Sequence, residues 1–324
     1  MLKTKSLARR CGWLLVLLGT GLAGPVLAQR PAFRVVPLGV KGGLAEGNLS
    51  AYLVAAAGSP AYVGLDAGSL RPGLERAVAT SVLAGPVEAL LRDSIKGYCL
   101  SHAHLDHVAG LLLNAPDDAP KPLYGLPACL ATLQNDYLNW RAWPNFGDGG
   151  RAPALGQYAL RALVPGQPTP LIGTPLSVQA FALSHGRPYQ STAFLVRSQD
   201  SYLLYLGDTG ADDIEQTHCL RDLWRAVAPL LRQGQLRVIF IEASYPNDQP
   251  PARLFGHLTP ALLLHELGAL GQLAGPAALR GLPVVITHLK PTAANEALIR
   301  QQLVAGNQLG VRLVFPVQGE RLLF

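Results

Sequence analysis

No other part of the chain limits its fold as strongly as the stretch SHAHLDHVAG at residues 101–110. Within six residues it contains His102, His104, Asp106 and His107. The stretch directly follows the apolar, β-prone run IKGYCL, so we expect a buried strand to deliver His102 at its carboxyl end. Histidine nitrogens and carboxylate oxygens are ligands for zinc and related divalent ions. The pattern predicts a metal site in which His102 and His104 face one point while Asp106 and His107 face a second.

Short apolar runs recur along the chain and alternate with segments of helical spacing. The predicted strands are FRVVPLGV, LSAYLVAAA, AYVGLDAG, IKGYCLS, PLSVQAFALSH, STAFLVRS, SYLLYLGDTG, LRVIFIEAS and LPVVITHLK. The predicted helices are PVEALLRDS, LATLQNDYLNW, LRDLWRAVAPLLRQ, PALLLHELGALGQLA and AANEALIRQQLVAG. Between Asn114 and Pro170 the chain is rich in proline and glycine, and we expect loops with one helix there. This alternation indicates an α/β domain whose sheets are covered by helices.

Four further polar residues stand where predicted strands end, namely His185, Asp208, Glu242 and His288. In layered α/β domains such positions converge at one edge of the core, where loops on a rigid scaffold carry chemistry. We therefore expect these side chains to lie close to the histidine cluster.

The first 28 residues differ in character from the rest. Four basic residues are followed by the apolar run GWLLVLLGTGLAG and by PVLA, which ends at Ala28. This order predicts a secretory signal peptide cleaved before Gln29. An uncleaved membrane anchor is the alternative, although the apolar run is short for a span. We expect a signal peptide at residues 1–28, one domain at residues 29–324, a periplasmic or secreted location and no membrane span after cleavage.

Removal of that segment takes away four basic and no acidic residues, so the formal net charge falls from +6 to +2. The remaining chain has no run of Lys and Arg, which argues against a nucleic-acid polymer as partner. Cys99, Cys129 and Cys219 also remain, widely spaced and without a CxxC pair. We expect structural thiols, with one disulfide as the alternative in an oxidising compartment.

The pattern HxHxDH after a strand resembles the signature of the metallo-β-lactamase superfamily. This resemblance implies a four-layer αββα sandwich with a dinuclear metal site. It places His102, His104 and His185 at the first metal, Asp106, His107 and His288 at the second, and Asp208 as a carboxylate shared by both. Zinc is the expected metal, with manganese and iron as alternatives. Two adjacent divalent ions lower the pKa of a shared water and polarise the bond under attack.

Several segments narrow the resemblance to the class II cyclic nucleotide phosphodiesterases. They are HAHLDHVAGLLLNAP, WPNFGD, LYLGDTGADD, FIEASYP and LFGHLTP, and the similarity extends over nearly all of residues 33–290. Ala115 stands where that family is expected to have serine. The resemblance implies that the substrate is 3′,5′-cyclic AMP, with cyclic GMP as a second candidate, and that the product is the nucleoside 5′-monophosphate.

Two of these segments supply residues suited to phosphodiester cleavage. The leaving ribose oxygen benefits from a proton donor, a role that His257 fits, with Glu242 orienting its ring. The pair also resembles the Glu and His of the tRNase Z branch of the same fold. We assign catalytic roles to Asp106, Glu242 and His257. The alternatives are a helix-start residue for His257 and a structural strand-end carboxylate for Glu242.

Trp143, Asn145 and Phe146 form an aromatic loop that we predict to bind the nucleoside, because aromatic faces stack on bases. A hydrophobic anchor for the proline-rich segment is an equal alternative. Two other readings of the whole chain stay open: a lactonase or β-lactamase-like hydrolase, and a non-catalytic module that binds cyclic nucleotides. A homodimer is compatible with each.

Overall fold

The computed structural model describes residue 2 and residues 30–324. The predicted signal peptide and its cleavage site therefore lie outside the described residues, apart from residue 2. Residues Pro31–Phe324 form one compact unit. In the described part of the chain, no helix has both the length and the hydropathy needed to cross a membrane.

Seven strands form the first sheet. Their bounds are β1 Phe33–Gly39, β2 Ala51–Ala56, β3 Tyr62–Leu65, β4 Ile95–Cys99, β5 Lys121–Gly125, β6 Tyr158–Ala162 and β14 Leu322–Leu323. Their order across the sheet is β14-β1-β2-β3-β4-β5-β6. The strands from β3 to β6 run parallel to one another.

The second sheet also has seven strands. Their bounds are β7 Thr169–Pro170, β8 Ser177–Ser184, β9 Gln190–Ser198, β10 Ser201–Tyr205, β11 Leu236–Glu242, β12 Pro283–Thr287 and β13 Arg312–Val314. Their order is β13-β12-β11-β10-β9-β8-β7. The strands from β10 to β13 are parallel, whereas β8, β9 and β10 form an antiparallel meander.

Helices cover the outer faces of both sheets. Their bounds are α1 Arg71–Ala79, α2 Val87–Ala89, α3 Leu105–Asn114, α4 Pro127–Thr132, α5 Asp212–Glu215, α6 Cys219–Arg232, α7 Pro260–Ala274 and α8 Ala293–Gly306. One apolar cluster joins α1, α3 and α4 to the first sheet, and another joins α6, α7 and α8 to the second. A third fills the space between the sheets, where the rings of Tyr52 and Phe240 meet edge to face with centroids 5.5 Å apart. The expected four-layer αββα sandwich is confirmed.

The strand directions place functional residues at one edge. Strands β3 and β4 of the first sheet end just before Asp66 and His102. Strands β8, β10 and β12 of the second sheet end just before His185, Asp208 and His288, and β11 ends at Glu242. The carboxyl ends of strands from both sheets thus lead into the same group of loops, as expected from the sequence.

The prediction for Asn114 to Pro170 is wrong in part. The expected helix is present as α4 with a following π-helical turn, but the interval also contains β5 and β6, two strands of the first sheet. Strand β5 includes Pro122, and proline normally argues against an interior strand because it cannot donate to the ladder. The sequence pattern also did not reveal α1 and α3.

Candidate metal centre

The first three histidines converge where strands β4 and β8 end. Nε2 of His102 lies 3.0 Å from Nδ1 of His104, and Nε2 of His185 lies 3.3 Å from the same atom. One ligand nitrogen of each residue lies within 4.8 Å of the others. His102 and His185 are buried, whereas His104 is exposed, so the site opens to solvent on the side of His104. These three residues are the set that the sequence assigned to the first metal.

A second ligand set lies beside the first. Asp106, His107 and His288 also bring one ligand atom each within 4.8 Å of one another. Nε2 of His288 lies 3.1 Å from Oδ2 of Asp106. Asp106 and His107 belong to the first turn of α3, which begins directly after His104, so this helix start separates the two sets.

Asp208 lies between the two sets. Its Oδ2 is 3.1 Å from Nε2 of His288 and 3.2 Å from Nε2 of His107. On the other side the same oxygen lies 3.7 Å from Nε2 of His185 and 3.9 Å from Nε2 of His102. The structure therefore brings together all seven side chains that were predicted as metal ligands.

Two buried atoms of this centre test whether it fits a metal. Nε2 of His107 and Oδ1 of Asp208 are buried and make no hydrogen bond. Buried polar atoms are normally paired, so orphaned ligand atoms in a cluster require an explanation such as a bound ion. The donor set of imidazoles and carboxylates suits zinc and related divalent ions. The residues present fit a pair of such ions.

The pKa shifts of the histidines also favour a bound cation. Burial holds the pKa of His102 well below its usual value. His104 is exposed as a residue, but its ring packs against Tyr189, and this partial burial of the ring, with the neighbouring His185, lowers its pKa to about 4. These imidazoles are therefore neutral, which is the form that binds metals. Burial lowers the pKa of His107 as well, but Asp208, Asp66 and Asp106 outweigh it and raise that pKa well above its usual value. The position of His107 thus attracts a positive charge, which a proton or a metal cation can supply.

Asp66 holds the histidine cluster in place, a role that the sequence analysis missed. It follows β3 at a positive φ of 56°, a conformation that aspartate tolerates better than most residues. Its carboxylate accepts from Nδ1 of His107 at 2.7 Å, from the hydroxyl of Tyr205 at 2.6 Å, and from the backbone and hydroxyl of Ser101. The available signal was its position at the end of a buried strand in GLDAG.

Other ligand rings are held by second partners. Nδ1 of His185 donates to the carbonyl of Gly256 at 2.8 Å, and Nδ1 of His102 lies 3.0 Å from Oγ of Ser101. Nδ1 of His288 lies 2.9 Å from Oγ of Ser244. Such outer contacts fix the tautomer and the direction of a metal-binding imidazole. The remaining ring nitrogens of these residues are the ones that face the centre.

His257 lies against the centre with Glu242 behind it. Nδ1 of His257 donates to Oε1 of Glu242 at 2.7 Å and lies 3.8 Å from Oδ2 of Asp208. Burial lowers the pKa of His257, but the carboxylates of Glu242 and Asp208 together outweigh burial, so the net pKa is raised. The ring of His257 stacks near that of His288, with centroids 5.0 Å apart.

Both carboxylate oxygens of Glu242 accept hydrogen bonds from neighbouring groups. It accepts from the backbone of Thr209 and Leu258, from the hydroxyl of Ser244 and from His257. One carboxylate oxygen of Glu242 also lies within 4.8 Å of ligand atoms of His185, Asp208 and His257. Because both of its oxygens already accept hydrogen bonds, we interpret Glu242 as a residue that positions His257.

The predicted aromatic loop lies along α3. Trp143 lines an apolar cavity of about 330 Å³ together with Leu105 and Tyr137, and Leu105 stands between two ligands of the centre. Asn145 is fully buried, and its amide donates to the carbonyls of Gly149 and Arg151 within its own loop. Phe146 packs against the core. Trp143 lines this cavity and, like Phe146, also packs against the core.

Comparisons with known proteins identify the family. A family model described as cAMP phosphodiesterases class-II matches residues 87–319. A relative from Aliivibrio fischeri named 3′,5′-cyclic-nucleotide phosphodiesterase is 43% identical over 312 residues, covering 92% of this chain and 94% of its own. A relative from Yersinia pestis, named as a probable enzyme of this kind, is 42% identical over 308 residues and 90% of each chain.

Solved structures agree on the fold. Unliganded yeast PDE1 matches with a TM-score of 0.79 and 23% identity, over 91% of this chain and 99% of that one. The metallo-β-lactamase fold protein YhfI from Bacillus subtilis matches with a TM-score of 0.61 and 18% identity, over 91% and 100% of the two chains. The chain therefore belongs to the class-II cAMP phosphodiesterase family and has the metallo-β-lactamase fold.

Proposed function

We propose that the protein is an exported phosphodiesterase that uses two divalent metal ions to open 3′,5′-cyclic AMP to 5′-AMP. Cyclic GMP is the second candidate substrate. One observation carries the proposal: two ligand sets share Asp208, and the His257–Glu242 pair lies against them. A proton donor beside a dinuclear centre suits a reaction in which a poor leaving group, the ribose 3′ oxygen, must depart.

The residues that would hold the ions are the two sets described above, with Asp208 shared between them. Two ions bound there supply an activated water and polarise the phosphodiester. Zinc is the proposed metal because imidazole and carboxylate ligands suit it. Asp106 contributes a carboxylate to the second set, where Gly43 donates its backbone N–H to Oδ2 at 2.7 Å. That hydrogen bond fixes one carboxylate oxygen near His288.

His257 supplies the proton for the leaving group. Its Nδ1–H is directed at Glu242, so Nε2 is the ring nitrogen left to donate. The raised pKa of His257, caused by Glu242 against the effect of burial, favours the protonated ring that a donor needs. In the reaction the bond between phosphorus and the 3′ oxygen breaks, a bond from phosphorus to a water oxygen forms, and that water releases one proton to solvent. The 3′ oxygen takes the proton from Nε2 and becomes a hydroxyl, and solvent then reprotonates the ring.

The central experiment uses protein that comprises residues 29–324, loaded with zinc or with manganese. We expect 3′,5′-cyclic AMP to yield 5′-AMP and no 3′-AMP, as resolved by chromatography. Absence of nucleotide product with both metals would overturn the proposed reaction. Elemental analysis of the same preparation should give two metal ions per chain, and one ion or none would contradict the dinuclear site.

Export is proposed from the sequence of residues 1–28 alone. The basic start, short apolar run and small residues before Gln29 support cleavage by a signal peptidase. The test is N-terminal sequencing of the protein recovered outside the cytoplasm, which should begin at Gln29. Recovery of an intact N-terminus in the membrane fraction would favour an anchor instead.

A further inference from the structure

Lys290 is a cation next to the second ligand set, and it takes no part in the reaction proposed for His257 and Glu242. It stands two residues after His288 and is half-buried. Across residues 30–324 no carboxylate oxygen lies within ion-pair distance of its ammonium nitrogen. A half-buried lysine commonly buries its aliphatic stem and keeps its ammonium accessible, so the Lys290 ammonium can meet a ligand.

Unlike Lys290, the neighbouring Lys41 has a carboxylate partner. Its backbone pairs with Leu289, so it lies close to Lys290. Its ammonium, however, forms an ion pair with Glu296 of α8. One of these two lysines is therefore neutralised within the fold, and the other is not.

The Lys290 ammonium lies close to Gly43, and Gly42 and Gly43 both adjoin the second ligand set. A Cβ on Gly42 would lie 2.2 Å from the ring of His288, so only glycine can pack there. A Cβ on Gly43 would lie 3.6 Å from Nζ of Lys290 and 4.0 Å from Oδ2 of Asp106. The ammonium and the Asp106 carboxylate thus flank the same side of Gly43, which adopts a positive φ of 50°. Because Gly43 has no side chain, the space between these two groups is open.

The charge of Lys290 also affects the pKa of His257, the proposed proton donor. Together with burial, it lowers the pKa of His257, against the larger effect of Glu242. Lys290, Asp106 and His288 lie around Gly42 and Gly43, which is where the reacting phosphate lies if the proposed function is correct.

We propose that Lys290 binds the phosphate group of the nucleotide at the second ligand set. This inference rests on the proposed function. An ammonium is a suitable partner for phosphate oxygens, as a compact charge with several donors. The product monoester carries about one more negative charge near pH 7 than the cyclic diester does. Lys290 therefore binds the product at least as tightly as the substrate and acts on binding more than on bond cleavage.

The test compares metal-loaded Lys290→Met and Lys290→Arg with Lys41→Met as the matched control. Loss of a hydrogen bond to a charged group corresponds to about 10- to 100-fold in affinity. We expect Lys290→Met to raise KM for cyclic AMP and the inhibition constant of 5′-AMP by that factor, with kcat changed less than about threefold. Inhibition by adenosine, which lacks phosphate, should not change. Lys290→Arg should restore most of the affinity, and Lys41→Met should behave as wild type.

A binding measurement separates this inference from the proposed reaction. Calorimetric titration of the metal-loaded protein with inorganic phosphate requires no turnover, and Lys290→Met should weaken it about 10- to 100-fold. Equal phosphate affinity in the variant and wild type would overturn the role of Lys290, even if cyclic AMP is hydrolysed. If wild type hydrolyses no cyclic nucleotide, the proposed function fails while this titration still decides the phosphate contact. A loss of metal from Lys290→Met, seen by elemental analysis, would also overturn it, since Lys290 would then support the ligands.

Discussion

His257 and Glu242 share one buried hydrogen bond that has two consequences. Glu242 fixes the direction of the ring, because its oxygens are themselves held by backbone and hydroxyl donors. Its charge also raises the pKa of His257 against the effect of burial. The two effects can be separated by removing either the ring or the charge.

Removal of the ring tests the proton donor. We expect His257→Ala to keep its metal and to lose about 10²- to 10⁴-fold in kcat, the usual contribution of a general acid. Elemental analysis and steady-state kinetics check the two halves of this prediction. His265→Ala is the control, since His265 is an exposed residue of α7. Unchanged turnover in His257→Ala would remove His257 from the mechanism.

Removal of the charge tests the pKa. The protonated ring is the donor, and Glu242 raises its pKa, so activity falls as the pH rises through that pKa. In Glu242→Gln the pKa of His257 drops, and we expect the alkaline limb of the kcat profile to move to lower pH. Glu266→Gln replaces another buried glutamate, bonded to Trp224, and should leave the profile unchanged. An alkaline limb at the same pH in both variants would contradict the assignment.

Asp208 lies against both ligand sets. We expect Asp208→Ala to retain at most one metal ion and to lose hydrolysis, because the shared ligand is gone and two cations then face each other without an intervening charge. Elemental analysis after dialysis gives the metal content. Retention of both ions would place the bridging role on another residue.

Strand β5 shows which element the sequence could not reveal. It contains Pro122 and starts with the charged Lys121, both unusual for an interior strand. The lysine is accommodated by an ion pair with Asp118 at 2.6 Å and by the carbonyls of Leu91 and Ile95. Asp118 is only three residues away, but Leu91 and Ile95 are 30 and 26 residues away, so the local pattern does not show how a strand accommodates this lysine.

Breaking the buried ion pair between Lys121 and Asp118 should strongly destabilise the fold. Asp118 also accepts from the hydroxyls of Tyr98 and Tyr158, and both ions of the pair are almost fully buried. Asp118→Ala leaves the Lys121 charge buried without its partner, and we expect a loss of about 3–5 kcal/mol in the free energy of unfolding. Chemical denaturation measures it. The adjacent Asp117 is exposed, so Asp117→Ala should change stability by less than about 0.5 kcal/mol, and equal effects in both variants would refute the argument.

The nine predicted strands and most predicted helices are present because each carries its own apolar periodicity. The seven predicted ligands come together in the structure for two reasons: His102, His185, Asp208 and His288 follow strand ends, and His104, Asp106 and His107 belong to the HxHxDH segment that follows β4. Asp66 and Ser244 could not be assigned roles, because their importance lies in partners distant in sequence, such as His107 and His288. Their functions follow from packing, which a single sequence does not display.

The predicted metal ligands come from both sheets of the sandwich. His102, His104 and His107 follow a strand of the first sheet, whereas His185, Asp208 and His288 follow strands of the second. A bound ion therefore ties the two sheets together at their shared edge. Any ligand that binds the folded state alone also stabilises it.

Removal of metal should accordingly lower the thermal stability of the whole domain. At a free metal concentration of about 1,000 times Kd the stabilisation is roughly 4 kcal/mol, which for a chain of this size corresponds to about 5–15 °C in Tm. Differential scanning calorimetry before and after chelation measures the shift, and Asp208→Ala should show a smaller one. Identical Tm values with and without chelator would show that the ions do not link the sheets.

The second ligand set joins parts of the chain that are 182 residues apart, at Asp106 and His288. Closing so long a loop costs conformational entropy before the contact can form, and contacts of this kind are made late in folding. A chain still being synthesised that has not reached β12 holds His102, His104 and His185 but lacks His288. Binding of an ion at the second ligand set would therefore be a late event in the life of each molecule, because it would require a chain that has been synthesised past His288 and folded.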